Sequence, residues 1–225
     1  MIVIAETELC VINDPDGFVN VRSGAGAGFT VVGKLEEADF FYADLEESQG
    51  WIKVTAMKWA DGAEVVGYVD KSRVQSVRTL DMKQQGTLLK DVLSGQLRRS
   101  KAFNEGKLSR QESERYGEYR YSPALEILPL YFCRTKDVSV LQLFYSVLWA
   151  DEGSADERPT FVIGECYICD SIFVIQQLEL LSNIEQQNTI FTHIEWGLLN
   201  SENKDIDIFK IRLNKDKDRV LKLTP

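Results

Sequence analysis

Phe18-Val-Asn-Val-Arg-Ser-Gly-Ala-Gly26 decides the fold of the first third of the chain. Val19 and Val21 alternate with Asn20 and Arg22, the period of two that marks a half-buried strand. Gly24, Gly26 and Gly28 then open a loose loop. On either side, short β-rich runs alternate with turn residues. Ile2–Ile4 and Leu9–Ile12 precede it, and Asn13-Asp-Pro-Asp-Gly17 is turn chemistry. Val31–Leu35 and Phe40–Ala43 follow. Gly50-Trp-Ile-Lys-Val54 sets Trp51 and Lys53 on one strand face, with Ile52 and Val54 on the other. Lys58-Trp-Ala-Asp-Gly62 reads as a hairpin tip and Val65–Val69 as its return strand. Such a run of short strands predicts a small barrel over residues 1–78. Its expected core is Val21, Val32, Leu35, Ile52, Val54 and Val69.

Asn20-Val-Arg-Ser-Gly24, Val31-Val-Gly-Lys-Leu35, Gly50-Trp-Ile-Lys-Val54 and Gly67-Tyr-Val69 occur in that order. Together they resemble the bacterial SH3-like (SH3b) family, over about the first third of the chain. The resemblance implies a binding barrel rather than a catalyst. In similar modules, aromatics from loops and central strands line a shallow groove for short peptides, in bacteria often cell-wall peptides. Phe40, Phe41, Tyr42, Trp51, Trp59 and Tyr68 are too many for one small core, so some must reach the surface. Tyr42, Trp51, Trp59 and Tyr68 are the candidate ligand-binding residues. Trp and Tyr suit the task because each joins a large apolar face to a polar tip. Trp59 comes first, because it sits beside the Asp61-Gly62 tip. The structural alternative is that these aromatics pack against the rest of the chain.

Residues 79–121 change character. Leu80, Leu88, Leu89, Val92, Leu93 and Leu97 recur at roughly helical spacing. Ser109-Arg-Gln-Glu112 fits a capping box and predicts a short helix over 110–116. This stretch reads as a helical connector. From Ser122 the runs turn apolar or alternating again: Leu125–Cys133, Val138–Trp149, Thr160–Ile168, Ile172–Leu181, Thr189–Leu199, Ile206–Leu213 and Val220–Leu223. These predict a β-rich domain over 122–225, although Val138–Trp149 and Ile172–Asn183 fit helices as well. The expected class is mainly β (α+β overall): an SH3-like barrel, a helical connector and a β-rich C-terminal domain.

The formal net charge is −9 over 225 residues. Residues 1–78 carry 13 acids against 7 bases, 79–121 carry 6 against 9, and 122–225 carry 16 against 10. Two acidic segments thus flank a basic connector. Duplex nucleic acid would be repelled by most of this surface, and a basic protein attracted. No apolar run reaches the length of a membrane span. Met1-Ile-Val-Ile-Ala-Glu6 has no basic n-region, so the expectation is a cytoplasmic protein, or an envelope protein if a leader was removed.

Catalytic constellations are scarce. A cysteine hydrolase needs a histidine base, and His193 is the single histidine in the chain. Cys166-Tyr-Ile-Cys169 is a CxxC without a second pair, too few ligands for a structural zinc site. It reads as buried structural thiols, and Cys10 and Cys133 as reduced. Gly24-Ala-Gly-Ala-Gly28 lacks the lysine and following helix of a phosphate loop. The acidic runs Glu36-Glu37, Asp44–Glu47 and Asp151–Glu157 read as solvated loops, and Arg98-Arg99 with Lys101, Lys107 and Arg110 as a solvated face. No catalytic residue, metal or cofactor is assigned. The expected function is a non-enzymatic protein or peptide binder, in its concrete form a cytoplasmic protein-neutralising factor of the toxin-immunity kind. The alternative is an exported binder of peptidoglycan peptides.

Overall fold

The structure is a computed structural model that describes residues 7–37, 39–45, 50–152 and 155–223. The strand expected at Ile2–Ile4, and Glu46 and Glu47 of the acidic run, lie outside the described residues. The chain divides into two compact units. The first holds Met1–Gln85 with Ser109–Pro123, and the second Gly86–Leu108 with Ala124–Pro225.

In the first unit, β1 (Glu8–Ile12), β2 (Phe18–Arg22), β3 (Val31–Glu36), β4 (Phe41–Ala43), β5 (Trp51–Met57), β6 (Glu64–Asp70) and β7 (Val74–Ser76) form one antiparallel sheet. Its order is β3-β2-β6-β5-β4-β1-β7, curled as a half-barrel. The inward face carries Val19, Val21, Leu35, Phe41, Ile52, Val54, Val65 and Val69, all buried. Val32, expected in this core, is 52% exposed. It has the strand parity of Lys34 rather than of Leu35, so the pleat turns it outward. Two glycines meet needs that other residues would not. Gly62 closes the β5–β6 hairpin at φ 75°, donating its N–H to the Lys58 carbonyl at 2.7 Å. Gly67 lies where a Cβ would run into the Arg22 carbonyl and come within 2.7 Å of Val21 Cγ1.

Helix α1 (Met82–Asn104) follows the sheet, and α2 (Arg110–Tyr116) returns to the first unit. The capping box at the start of α2 forms as the sequence predicts. The Ser109 hydroxyl accepts the Glu112 N–H at 3.2 Å, and the Glu112 carboxylate accepts the Ser109 N–H at 3.2 Å. A π-helical turn over Gly117–Tyr121 follows, and Arg120 from it sits 5.8 Å from the Phe40 ring centroid.

The second unit overturns the β-rich expectation. Its segments are helices: α3 (Ser122–Leu125, which straddles the unit boundary), α4 (Leu128–Thr135), α5 (Val138–Ala150), α6 (Arg158–Cys169), α7 (Ser171–Glu179), α8 (Ile184–Leu199) and α9 (Ile206–Leu223). Helix takes 57% of the structure and strand 17%, so the fold is helix-rich α+β rather than mainly β. The physical reason is that apolar residues also lie off the buried face. Val140, Leu141, Phe144, Tyr145, Val147 and Leu148 of α5 are buried at helical spacing, but Val138, Leu143 and Trp149 are apolar as well and less buried. Such a run shows no charged flank to reveal its stripe, and its aromatic and β-branched residues imitate strand preference.

Local start signals nonetheless place these helices. Asp137 accepts the N–H groups of Ser139 and Val140 at 2.9 and 3.2 Å. Asp170 accepts that of Phe173 at 3.1 Å, and Asn183 those of Glu185 and Gln186 at 2.8 and 3.1 Å. Each is an N-cap that satisfies donors a helix start leaves open. Pro129 and Pro159 stand in the first turns of α4 and α6, where a missing N–H costs nothing. Helices α6 and α8 cross at Gly164 and Gly197 so closely that a Cβ on Gly164 would stand 2.9 Å from Gly197 Cα. Among the described residues, no single helix is long and apolar enough to cross a membrane.

Candidate functional site

Strand register builds an aromatic face on the outside of the N-terminal sheet. In β5 the side chains alternate, with Ile52, Val54 and Ala56 buried and Trp51, Lys53, Thr55 and Met57 on the other side. Tyr42 of β4 lies opposite Thr55, and Thr55 lies opposite Val66 of β6. Lys53 faces Tyr68, Tyr68 faces Arg22 of β2, and Trp51 faces Asp70. Directly opposed residues on one sheet face touch each other's side chains. The rows Tyr42–Thr55–Val66 and Lys53–Tyr68–Arg22 are therefore neighbours on one surface, with Trp51 beside them. Tyr42 is 46% exposed and Val66 45%, while Trp51 and Tyr68 are half-buried. The face offers flat aromatic area for an apolar side chain, bordered by Lys53, by Arg22, which donates to the Phe29 carbonyl at 2.8 Å, and by Asp70, which accepts the Ser72 N–H at 2.9 Å.

Trp59 does not belong to this face. It lies in the turn beyond β5, half-buried, with its ring edge-on to Tyr116 at 5.3 Å between centroids and 82° between planes. The sequence reading placed it at an exposed tip because its partner comes from α2, far along the chain. The structure thus brings together Tyr42, Trp51 and Tyr68 and sets Trp59 apart.

A second feature was not foreseen. In the helical unit, the loop after α5 and the facing sides of α6 and α8 enclose a cleft of about 290 Å³. Glu152, Asp156, Glu157, Thr160, His193 and Trp196 are on its wall. The run Asp151–Glu157, read as a solvated loop, supplies three of these carboxylates, and His193 comes from a helix rather than the expected strand. Glu152 accepts the Thr189 hydroxyl at 3.1 Å, and Asp156 pairs with Arg158 at 2.8 Å. Burial lowers the His193 pKa below its ordinary value and so favours the neutral imidazole, while the Glu152 carboxylate pulls the other way. Among the described residues, no group of three or more His, Cys, Asp or Glu is placed to hold a metal ion. Nor does a cysteine line the cleft, so His193 has no thiol beside it there to activate.

Cys133 and Cys169 depart from the reading of reduced thiols, while Cys10 and Cys166 keep it. Cys10 and Cys166 are buried and free. Burial pushes the Cys10 thiol up to about 12 and the Cys166 thiol further. Cys169, at the last position of α6, is exposed and disulfide-bonded to Cys133 of α4.

Asp137 is a heavily engaged carboxylate of the helical unit. Besides capping α5 it accepts the Tyr131 hydroxyl at 2.9 Å and pairs with Lys90 at 2.9 Å. Partial burial works to raise its pKa. The Ser139, Lys90 and Tyr131 donors outweigh that and hold it well below the usual carboxylate range. This is a structural junction of α1, α4 and α5 rather than a ligand site.

Compared with family models, with curated proteins and with solved structures, the chain matches none.

Proposed function

We propose that this chain is a non-enzymatic binding protein that takes a protein or peptide ligand on the outer face of its N-terminal sheet. The observation that carries the reading is the convergence of Tyr42, Trp51 and Tyr68, with Val66, on one face of β4, β5 and β6. Interface hot spots are enriched in Tyr and Trp, which bury large area at low entropic cost. The acidic balance of the chain favours a basic partner. A cytoplasmic factor that neutralises a basic protein is the concrete form of this reading. The resemblance of residues 1–78 to SH3b barrels supports a second form, an exported protein that binds peptidoglycan peptides.

Selection from a displayed random-peptide library tests the proposal, with soluble peptidoglycan stem peptides titrated in parallel. The whole chain is compared with the Tyr42→Ala/Tyr68→Ala double variant. Losing hot-spot anchors costs at least about 2 kcal/mol, or about 30-fold in affinity. Enriched basic peptides that lose this much in the double variant support the protein-binding form, and stem peptides that do so support the cell-wall form. Binding that survives the double substitution moves the interface elsewhere, and a failure of both probes to bind removes the reading.

A further inference from the structure

We propose that Cys133 and Cys169 are a redox-responsive pair, in which Cys169 is the accessible thiol and Cys133 the one that resolves it. The two come from different helices and are 36 residues apart, with 5.9 Å between their Cα atoms. That separation fits a disulfide without backbone movement. The bond ties the last turn of α4 to the corner where α6 gives way to α7.

Position separates this pair from the other cysteines. Cys10 and Cys166 are 0% exposed, so solvent thiols do not reach them in the folded chain. Cys169 is open to solvent and Cys133 half-buried beside it. Exposed disulfides are the reducible ones, because an incoming thiolate has a clear line to a sulfur. The surrounding charge suits exchange in both directions. Lys136 Nζ stands 3.4 Å from Cys169 Sγ and 3.2 Å from Asp170 Oδ2. The negative end of the α6 dipole and the Asp170 carboxylate disfavour a thiolate at Cys169. The Lys136 ammonium, in direct contact with the sulfur, opposes both and stabilises the sulfur as nucleophile or leaving group.

The chemistry balances with a glutathione-type thiol as co-reactant. A glutathione thiolate attacks Cys169 Sγ, the S–S bond breaks, and the Cys133 sulfur leaves as thiolate and takes a proton. A second glutathione thiolate attacks the sulfur of the glutathione bound to Cys169, releasing the Cys169 thiolate, which is protonated, and glutathione disulfide. Two electrons and two protons pass from two glutathiones to the protein. In reverse, Cys169 attacks glutathione disulfide and Cys133 resolves the mixed disulfide. Reduction removes the covalent tie between α4 and the α6–α7 corner, which then rests on the Lys136–Asp170 pair and the Phe132–Phe173 contact, and leaves the N-terminal sheet as it is.

The experiment equilibrates the full chain, without denaturant, in buffers stepped from excess glutathione to excess glutathione disulfide. Free thiols are then trapped by alkylation and assigned by mass. Cys133 and Cys169 should become alkylated together at one midpoint, with Cys10 and Cys166 protected throughout. On reduction, amide exchange should rise in residues 128–135 and stay constant in the sheet. In the reduced chain, Lys136→Met should slow alkylation of Cys169 several-fold. Cys133→Ser should accumulate a glutathione adduct at Cys169. A bond that opens only after denaturant is added would make the pair purely structural and overturn the proposal. So would thiols that stay free in excess glutathione disulfide, or alkylation indifferent to Lys136.

Discussion

Substituting Gly197 with alanine sets two opposed terms against each other at the α6–α8 crossing. Alanine is the better helix former, and in a helix interior the change contributes about 1 kcal/mol of stability. The packing forbids it. A Cβ at Gly197 would collide with the Thr160 carbonyl oxygen and stand 2.9 Å from Gly164 Cα and 3.1 Å from Gly164 N. All three are backbone atoms on α6, so no side chain can rotate away. Carbon atoms prefer about 3.5–4.0 Å, so α6 and α8 must part by a good fraction of an ångström, and such a gap forfeits a quarter to a half of each contact's attraction. Overpacking of this kind costs about 1–3 kcal/mol, and the upper part of that range applies where backbone meets backbone. After the propensity gain, a net loss of about 1–2 kcal/mol remains. Urea unfolding followed by helical circular dichroism measures it. Gly117→Ala is the matched control, because Gly117 is helical and nothing lies within 4 Å of its Cβ position. That variant should be neutral or slightly more stable. If Gly197→Ala is as stable as Gly117→Ala, the close crossing of α6 and α8 is wrong.

Val54 is 1% exposed in the sheet core, and Val54→Asp places an unpaired carboxylate there, so the first unit should lose its near-ultraviolet signal and its protection from proteolysis; an intact, protected sheet would contradict the assignment. Trp59→Ala removes an edge-on aromatic pair and a half-buried side chain, which should cost about 1–3 kcal/mol in a melt while leaving binding at the Tyr42 face intact. An unchanged melt with lost binding would return Trp59 to the ligand surface. Asp137→Asn keeps a cap for α5 but loses the charge that Lys90 and Tyr131 meet, and should cost about 1 kcal/mol near neutral pH. Because the folded pKa is depressed, the charge contribution is complete above the unfolded value of about 4 and fades as pH falls below it. The gap between wild type and Asp137→Asn in urea midpoints should therefore narrow from pH 5 to pH 3, and a gap that stays constant would remove the ionic part of the junction.

How far the fold could be read from the chain depended on whether polar residues mark the side of each element that faces away from the core. The sheet has one solvated face, so Ile52, Val54 and Ala56 alternate with Lys53 and Thr55, and both strand and inward face are legible. Val32 misleads because it shares the parity of Lys34, and even Val31, which shares that of Leu35, is exposed at the strand end where the bulge between Val21 and Arg22 shifts the register. The helices of the second unit hide because apolar residues flank their buried face. Val162, Ile163, Cys166 and Tyr167 of α6 are buried at helical spacing, but Phe161 and Ile168 on the less buried flank blur that period in the sequence. Length and caps were the better signals. Runs of 12 to 16 residues, as in α6, α5 and α8, are long for strands, and Asp137, Asp170 and Asn183 stand immediately before three of the helices.

The same distinction explains which site residues were legible. Tyr42, Trp51 and Tyr68 lie on neighbouring strands, so parity and a short hairpin bring them together. Trp59 and Cys169 depend on partners from distant segments, Tyr116 and Cys133, which no local pattern reveals. The CxxC invites pairing Cys166 with Cys169 because they are close in sequence. In α6 the two are nearly one turn apart, but Cys166 turns into the core while Cys169 ends the helix in solvent. Closeness along the chain is thus a poor guide to sulfur chemistry here. The helix face decides that one thiol is inert and the other is free to meet α4, and that is why the proposed redox response belongs to Cys133 and Cys169 rather than to the CxxC itself.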